Sequence, residues 1–237
     1  MKKQSLVAGV LLALLFLAPS SGASENSRSF EIVELHDSAW VSHGASSNKF
    51  SAGRGDSLRQ DDILEVLAGN TVKIAPDPES RSALLVEGGT TLAIGAAGMN
   101  KSFTVEHGRV YAFVEKLTAG TTFKVMTPTT IAAVRGTQLQ VNVNANKTLV
   151  FNYDGTIEIY TRDAHGAPSG EFTLLKSGEK ISVEGAAAQN IQAVEMNSEE
   201  MAEIKNVPVF HDPPAASKSA EDAKKEDNIK VKSYFET

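Results

Sequence analysis

A serine nucleophile needs a histidine base and a carboxylate to orient that base. Ser57, in the block Gly55-Asp56-Ser57-Leu58, is the one serine whose surroundings suggest such a role. The Asp-x-x-His pair that accompanies this block in serine esterases is missing. Arg162 stands three residues before His165, and Pro208 three before His211. The five histidines, His36, His43, His107, His165 and His211, show neither His-x-His nor HExxH spacing, so a metal site would require the fold to gather them. There is no cysteine, which removes thiolate ligands, disulfides, a cysteine nucleophile and a lipoprotein anchor together. Asp61-Asp62 lacks the spacing of a calcium loop and reads as a solvated strand start, with His107 a solvated turn residue. Glu199-Glu200 suits a helix N-terminus, where negative charge is favoured. The tripeptide Arg54-Gly55-Asp56 is read as chance, and Trp40, the single tryptophan, as packing in the core or at an edge. The expectation is a chain without catalytic residues, metal or cofactor.

Arg135 is the most informative residue. It lies in Val134-Arg135-Gly136-Thr137, between the alternating segments Phe123–Met126 and Gln138–Val143. Thr127-Pro128 interrupts the first of these, because proline has no N–H for a ladder. A glycine inside a strand pattern marks a bulge or a close approach of backbone. Two roles suit the arginine. Its planar fork of donors can bind a carboxylate or a partner peptide, or it can tie loop carbonyls together where the strand bends. We take the second as the leading reading.

These residues need strands to hold them, and the sequence supplies many. From Phe30 to Val183, short apolar runs alternate with glycine turns, and no sustained 3.6-residue stripe appears. Glu87-Gly88-Gly89, Asp154-Gly155 and Ser177-Gly178 read as hairpin turns, and Glu106-His107-Gly108 as a further turn between strands. The glycine spacing is uneven, which excludes a regular solenoid. The predicted fold is all-β: a short-stranded β-ladder, an irregular β-roll or sandwich of hairpins, with a short C-terminal helix and a disordered tail. The expected layout is a signal peptide (1–23), an N-terminal strand and loop (24–54), a β domain (55–184), a short helix and linker (185–214) and a charged tail (215–237). Asn197-Ser198 before Glu199-Glu200 forms a helix start, and Pro208 is expected to end that helix.

Thr127-Pro128 followed by Val134-Arg135-Gly136-Thr137 resembles the signature of the FecR domain family. The rest of the ladder follows in order: the acidic step at Gly55-Asp56 or Asp61-Asp62, strand-turn units at Gly88 and Gly108, the turn at Asp154-Gly155, and Leu175-Lys176-Ser177-Gly178-Glu179. The resemblance spans roughly residues 55–183. It implies a binding or sensing domain, with Thr127, Pro128, Arg135, Gly136 and Thr137 as signature positions. The best-understood members are inner-membrane anti-sigma regulators that sense an outer-membrane siderophore receptor. A cytosolic sigma-binding segment and a confident membrane helix are not recognisable here, so the exported part is what the resemblance carries over.

Composition agrees with an exported domain. Of 237 residues, 41% are hydrophobic and 22% charged, enough for one packed domain plus tails. Lys2-Lys3, an uncharged run from Leu6 to Ala18 and Ser21-Gly22-Ala23 have the form of a secretory signal, with cleavage expected after Ala23 and no stable membrane span thereafter. The net charge of -6 repels phosphate backbones and argues against nucleic acid as a partner. The expected function is non-catalytic protein binding or signal sensing in the bacterial envelope, periplasmic or secreted, with envelope proteins as partners. The alternative is a structural, self-associating envelope or surface protein.

Overall fold

The computed structural model describes residues 30–211 except 45, 77–79, 97–98, 118, 187 and 189–190. The signal segment with its cleavage after Ala23 and the charged tail (215–237) therefore lie outside the described residues. In chain order the strands are β1 (Phe30–His36), β2 (Ala39–His43), β3 (Lys49–Ser51), β4 (Ser57–Leu58), β5 (Asp62–Val66), β6 (Thr71–Ala75), β7 (Ala83–Glu87), β8 (Thr90–Ile94) and β9 (Asn100–Val114). They continue with β10 (Thr122–Met126), β11 (Thr130–Val134), β12 (Thr137–Asn144), β13 (Lys147–Asp154), β14 (Thr156–Arg162), β15 (Pro168–Lys176), β16 (Glu179–Glu184) and β17 (Ala193–Glu195). Helix α1 (Ser198–Glu203), a 3-10 turn (Ile204–Asn206) and helix α2 (Pro208–His211) follow.

The all-β expectation holds. The ladders form a mixed, open array folded into two layers. The first sheet runs β4-β1-β6-β7-β9-β12-β13-β16-β17. The second runs β3-β2-β5-β8-β9-β10-β11-β14-β15, with β9 and β10 parallel. The 15-residue strand β9 belongs to both: its first half pairs with β8 and β10, its second with β7 and β12. Alternation decides which side chains go in. Leu64, Leu92, Phe103, Phe123 and Ile157 of the second sheet meet Ile32, Ile74, Leu84, Leu139 and Ile181 of the first in one buried cluster. Phe103 and Phe123, neighbours on parallel strands, pack edge to face at 5.7 Å. Residues 30–43 are part of this core through β1 and β2, and the polar stretch after Ser42 carries two short edge strands, β3 and β4.

The predicted hairpins are corrected. Among the described residues no ladder joins β7 to β8, β13 to β14 or β15 to β16, and Gly108 lies within β9 rather than between two strands. The glycines mark corners at which the chain leaves one sheet for the other. At Asp154-Gly155 the reason is visible. Fully buried Asn152 donates from Nδ2 to Gly155 O (3.0 Å) and Leu175 O (2.9 Å), so these carbonyls are held across the corner. True hairpins lie elsewhere, for example at Ala145-Asn146 between β12 and β13 and over residues 127–129 between β10 and β11. Trp40 is not a core residue: it faces outward on β2 and is 38% exposed.

Helix α1 begins as the sequence indicates. The Asn197 side chain accepts from Glu200 N, and the Glu200 side chain accepts from Asn197 N, both at 2.9 Å, a reciprocal capping box. α1 and its 3-10 extension stop at Asn206, before Pro208 as expected, and Pro208 then opens α2, where its missing N–H has no intrahelical partner to lose. Helices of six and four residues are unstable alone. These are held by packing: Val207, Val209 and Phe210 cover Ala83, Tyr111, Phe151 and Tyr153 on the outer face of the first sheet.

Candidate functional site

The signature begins as a turn stapled by hydroxyls. Thr127 directly follows β10, and its backbone N–H donates to Thr130 O at 2.9 Å, closing the hairpin around exposed Pro128. Thr130 N donates to Thr127 Oγ1 (2.9 Å), Thr129 Oγ1 to Thr148 Oγ1 (2.7 Å), and Thr148 Oγ1 to Thr127 Oγ1 (2.9 Å). All four threonines are buried. Buried hydroxyls are costly unless satisfied, and this chain of bonds satisfies them while fixing β13 against the turn. A guanidinium completes the staple: Arg162 donates from Nη1 to Thr127 O (2.6 Å) and from Nε to Gly166 O (2.8 Å), and its backbone N–H donates to Thr129 O (3.0 Å).

The carbonyl-tying role first assigned to Arg135 therefore belongs to Arg162. Arg135 is exposed and forms no hydrogen bond or ion pair with the described residues. Gly136 and Thr137 build the corner beside it. Gly136 has φ +74°, and a Cβ there would lie 3.0 Å from Lys116 Cα. Gly155 packs on this corner so closely that its own Cβ would sit 2.5 Å from Gly136 O. Thr137 is buried, and its Oγ1 lacks a hydrogen-bond partner among the described residues. Arg162→Ala is expected to cost about 2 kcal/mol, because it leaves two carbonyls without their charged donor. Arg135→Ala should change stability by less than about 0.5 kcal/mol. Urea denaturation of both variants checks this, and a larger loss at Arg135 would restore it as the pin.

Arg135 lies at the end of a groove of about 640 Å³ on the outer face of the second sheet. Strand register places Lys124, Ala133, Glu158 and Leu174 in one row across β10, β11, β14 and β15, with Met126, Ile131 and Tyr160 in the next. The small side chain of Ala133 leaves the hollow between its larger neighbours. Tyr160 Oη donates to Glu158 Oε2 (3.0 Å), which holds the phenol above the ordinary tyrosine range. Its ring packs on Phe172 at 5.7 Å. Phe172 and Leu174 are 48% and 44% exposed.

The opposite face is closed. Phe210 packs edge-on against Tyr111 (6.0 Å) and at a tilt against Tyr153 (5.9 Å). Glu203 Oε1 accepts from Tyr111 Oη (2.8 Å) and Arg109 Nη1 (3.2 Å). Lys180 Nζ donates to Glu200, and this bond, with the one from Asn197 N, holds the Glu200 carboxyl below the usual carboxylate range. Burial pushes both the Tyr111 and Tyr153 phenols well above the usual tyrosine range.

The remaining candidates stay apart. Ser57 is exposed on β4, opposite Glu31, and forms no hydrogen bond to a histidine among the described residues. Asp62, expected to be solvated, is instead buried; it accepts from Arg59 N (2.8 Å) and lies 2.7 Å from His43 Nδ1. Among the described residues no group of three or more histidines and carboxylates is placed to hold a metal ion.

Residues 62–158 match the family described as FecR protein, and this segment contains the whole Thr127–Thr137 signature. The match begins at β5 and ends within β14, inside the 55–184 span expected from the motifs. No curated protein is detectably similar. Two crystal structures of candidate anti-sigma factors from Parabacteroides distasonis are similar in shape. One is 17% identical, with a TM-score of 0.44 over 57% of this chain and 59% of that one. The other is 16% identical, with a TM-score of 0.48 over 60% and 64%. The chain thus spans less than two thirds of either.

Proposed function

We propose that this FecR domain is a non-catalytic recognition module that serves signal sensing in the bacterial cell envelope, periplasmic or secreted, after cleavage at Ala23. One observation carries the reading: the two outer faces are unequal. The first sheet is covered by its own helices, whereas the second presents an uncovered groove with the signature arginine at its rim. Among the described residues no helix is long and apolar enough to cross a membrane. The separation of Ser57 from the histidines supports the non-catalytic assignment. The test is affinity capture from an envelope extract with residues 24–237 as bait. A protein retained by the wild-type chain and lost with Arg135→Glu is expected, and failure to enrich any protein would remove the main support. Exposed Leu174 and Val194, on the terminal strands β15 and β17, favour self-association as a second reading, which sedimentation as a strict monomer would eliminate.

A further inference from the structure

We infer that the groove on the second sheet takes an extended segment of a partner protein in which carboxylates alternate with apolar side chains. This rests on reading the domain as a protein-recognition module and adds the chemistry of what it recognises. The chain as a whole carries a charge of -6, yet this face has the opposite sign. Lys124, Arg135 and Lys176 are exposed on it, and none forms an ion pair with the described residues. Its nearest carboxylate, Glu158, already accepts from Tyr160. Cations left without partners beside an apolar hollow suit an anion that arrives with apolar neighbours, and a guanidinium fork binds a carboxylate through two parallel bonds.

The spacing selects an extended chain. Arg135 follows Ala133 by two residues, one position past the end of β11 at Val134, a step of about 6.8 Å where the chain is extended. That is the repeat of same-face side chains in an extended peptide. A segment laid along β11 therefore meets the row of Lys124 and then Arg135 with alternate residues. Tyr160, Phe172 and Leu174 supply apolar contact for the others, as aromatic and aliphatic groups do at the centre of recognition sites. Three cations are too few for a nucleic-acid track, which neutralises many phosphates at once.

The test uses two synthetic peptides, acetyl-Asp-Leu-Asp-Phe-Asp-Leu-amide and its counterpart with lysine for aspartate, titrated into isotopically labelled protein. The acidic peptide is expected to shift the backbone amides of Arg135, Thr156 and Leu174. Its affinity should fall at least 10-fold in Lys124→Glu/Arg135→Glu, with the melting temperature unchanged, and the lysine peptide should not bind. The inference is overturned by no shifts with the acidic peptide, by shifts that persist in the double variant, or by equal binding of both peptides. It is also overturned if vesicles of phosphatidylglycerol and phosphatidylethanolamine, and not the peptide, lose binding in that variant. Capture from envelope extract separates the two levels. A partner retained equally by wild type and double variant removes the groove and leaves the recognition reading standing, whereas no partner at all removes that reading.

Discussion

Gly155→Ala is expected to lower the melting temperature by about 6–12 °C. Gly155 sits at φ +83° where β13 turns into β14, and an added Cβ would meet Gly136 O at 2.5 Å and Thr137 Cγ2 at 2.8 Å. Two penalties combine there. A side chain in the left-handed region costs about 1 kcal/mol, and forcing a methyl against a corner whose neighbour is backbone adds about 2 kcal/mol. Roughly 3 kcal/mol corresponds to that shift, at about 2–4 °C per kcal/mol for a domain of this size. Gly170→Ala is the control, since φ is also positive there and an added methyl meets nothing within 4 Å; its loss should be near one third as large. Differential scanning calorimetry decides. Equal losses at the two sites would mean that the packed corner at Gly136 and Thr137 contributes nothing beyond backbone strain.

Phe210→Ala should release the helical segment while leaving the sheets folded. Replacing a buried phenylalanine by alanine costs about 3–5 kcal/mol, and here the loss falls on two short helices with little stability of their own. Limited proteolysis is expected to cut within residues 197–211 at least 10-fold faster than in the wild type, with the β-sheet circular dichroism retained. A second readout follows from burial. The Tyr111 and Tyr153 phenols are held high chiefly because the covered face disfavours phenolate. Uncovering them should bring their ionisation down toward the ordinary value near 10, seen as phenolate absorbance appearing at lower pH. The sign is fixed by the cause, since a phenol raised by burial stabilises the covered state below its ordinary pKa and loses that contribution as pH rises further. Unchanged cleavage together with unchanged titration would show that Phe210 does not anchor the segment.

Much of the fold was legible because the information is local. Period-two alternation in Asp62–Val66, Thr90–Ile94 and Thr156–Arg162 becomes the buried-exposed pattern of β5, β8 and β14. The cap at Asn197 was readable because its donors and acceptors lie three residues apart. Thr127-Pro128 was readable as an interruption for the same reason. The hairpins were misread because Asp-Gly reports that a chain turns, and not whether the next strand pairs in the same sheet. That choice is made by distant groups such as Asn152, whose amide reaches Leu175 O.

The candidate site divides along the same line. The signature marked Arg135, and its position at the end of β11 follows from the strand pattern. Its role does not. Arg135 and Arg162 are alike in charge and donor set, and only their positions separate them: Arg162 lies against the carbonyls of Thr127 and Gly166, while Arg135 faces solvent beside the groove. The sequence by itself determined the β class and the residues of the signature, because each is written in short-range spacing. Only the tertiary structure decided which arginine is the pin, which face is covered and where the groove lies, because those depend on strands brought together from positions far apart in the chain, such as β11 beside β14 and Phe210 over Tyr111.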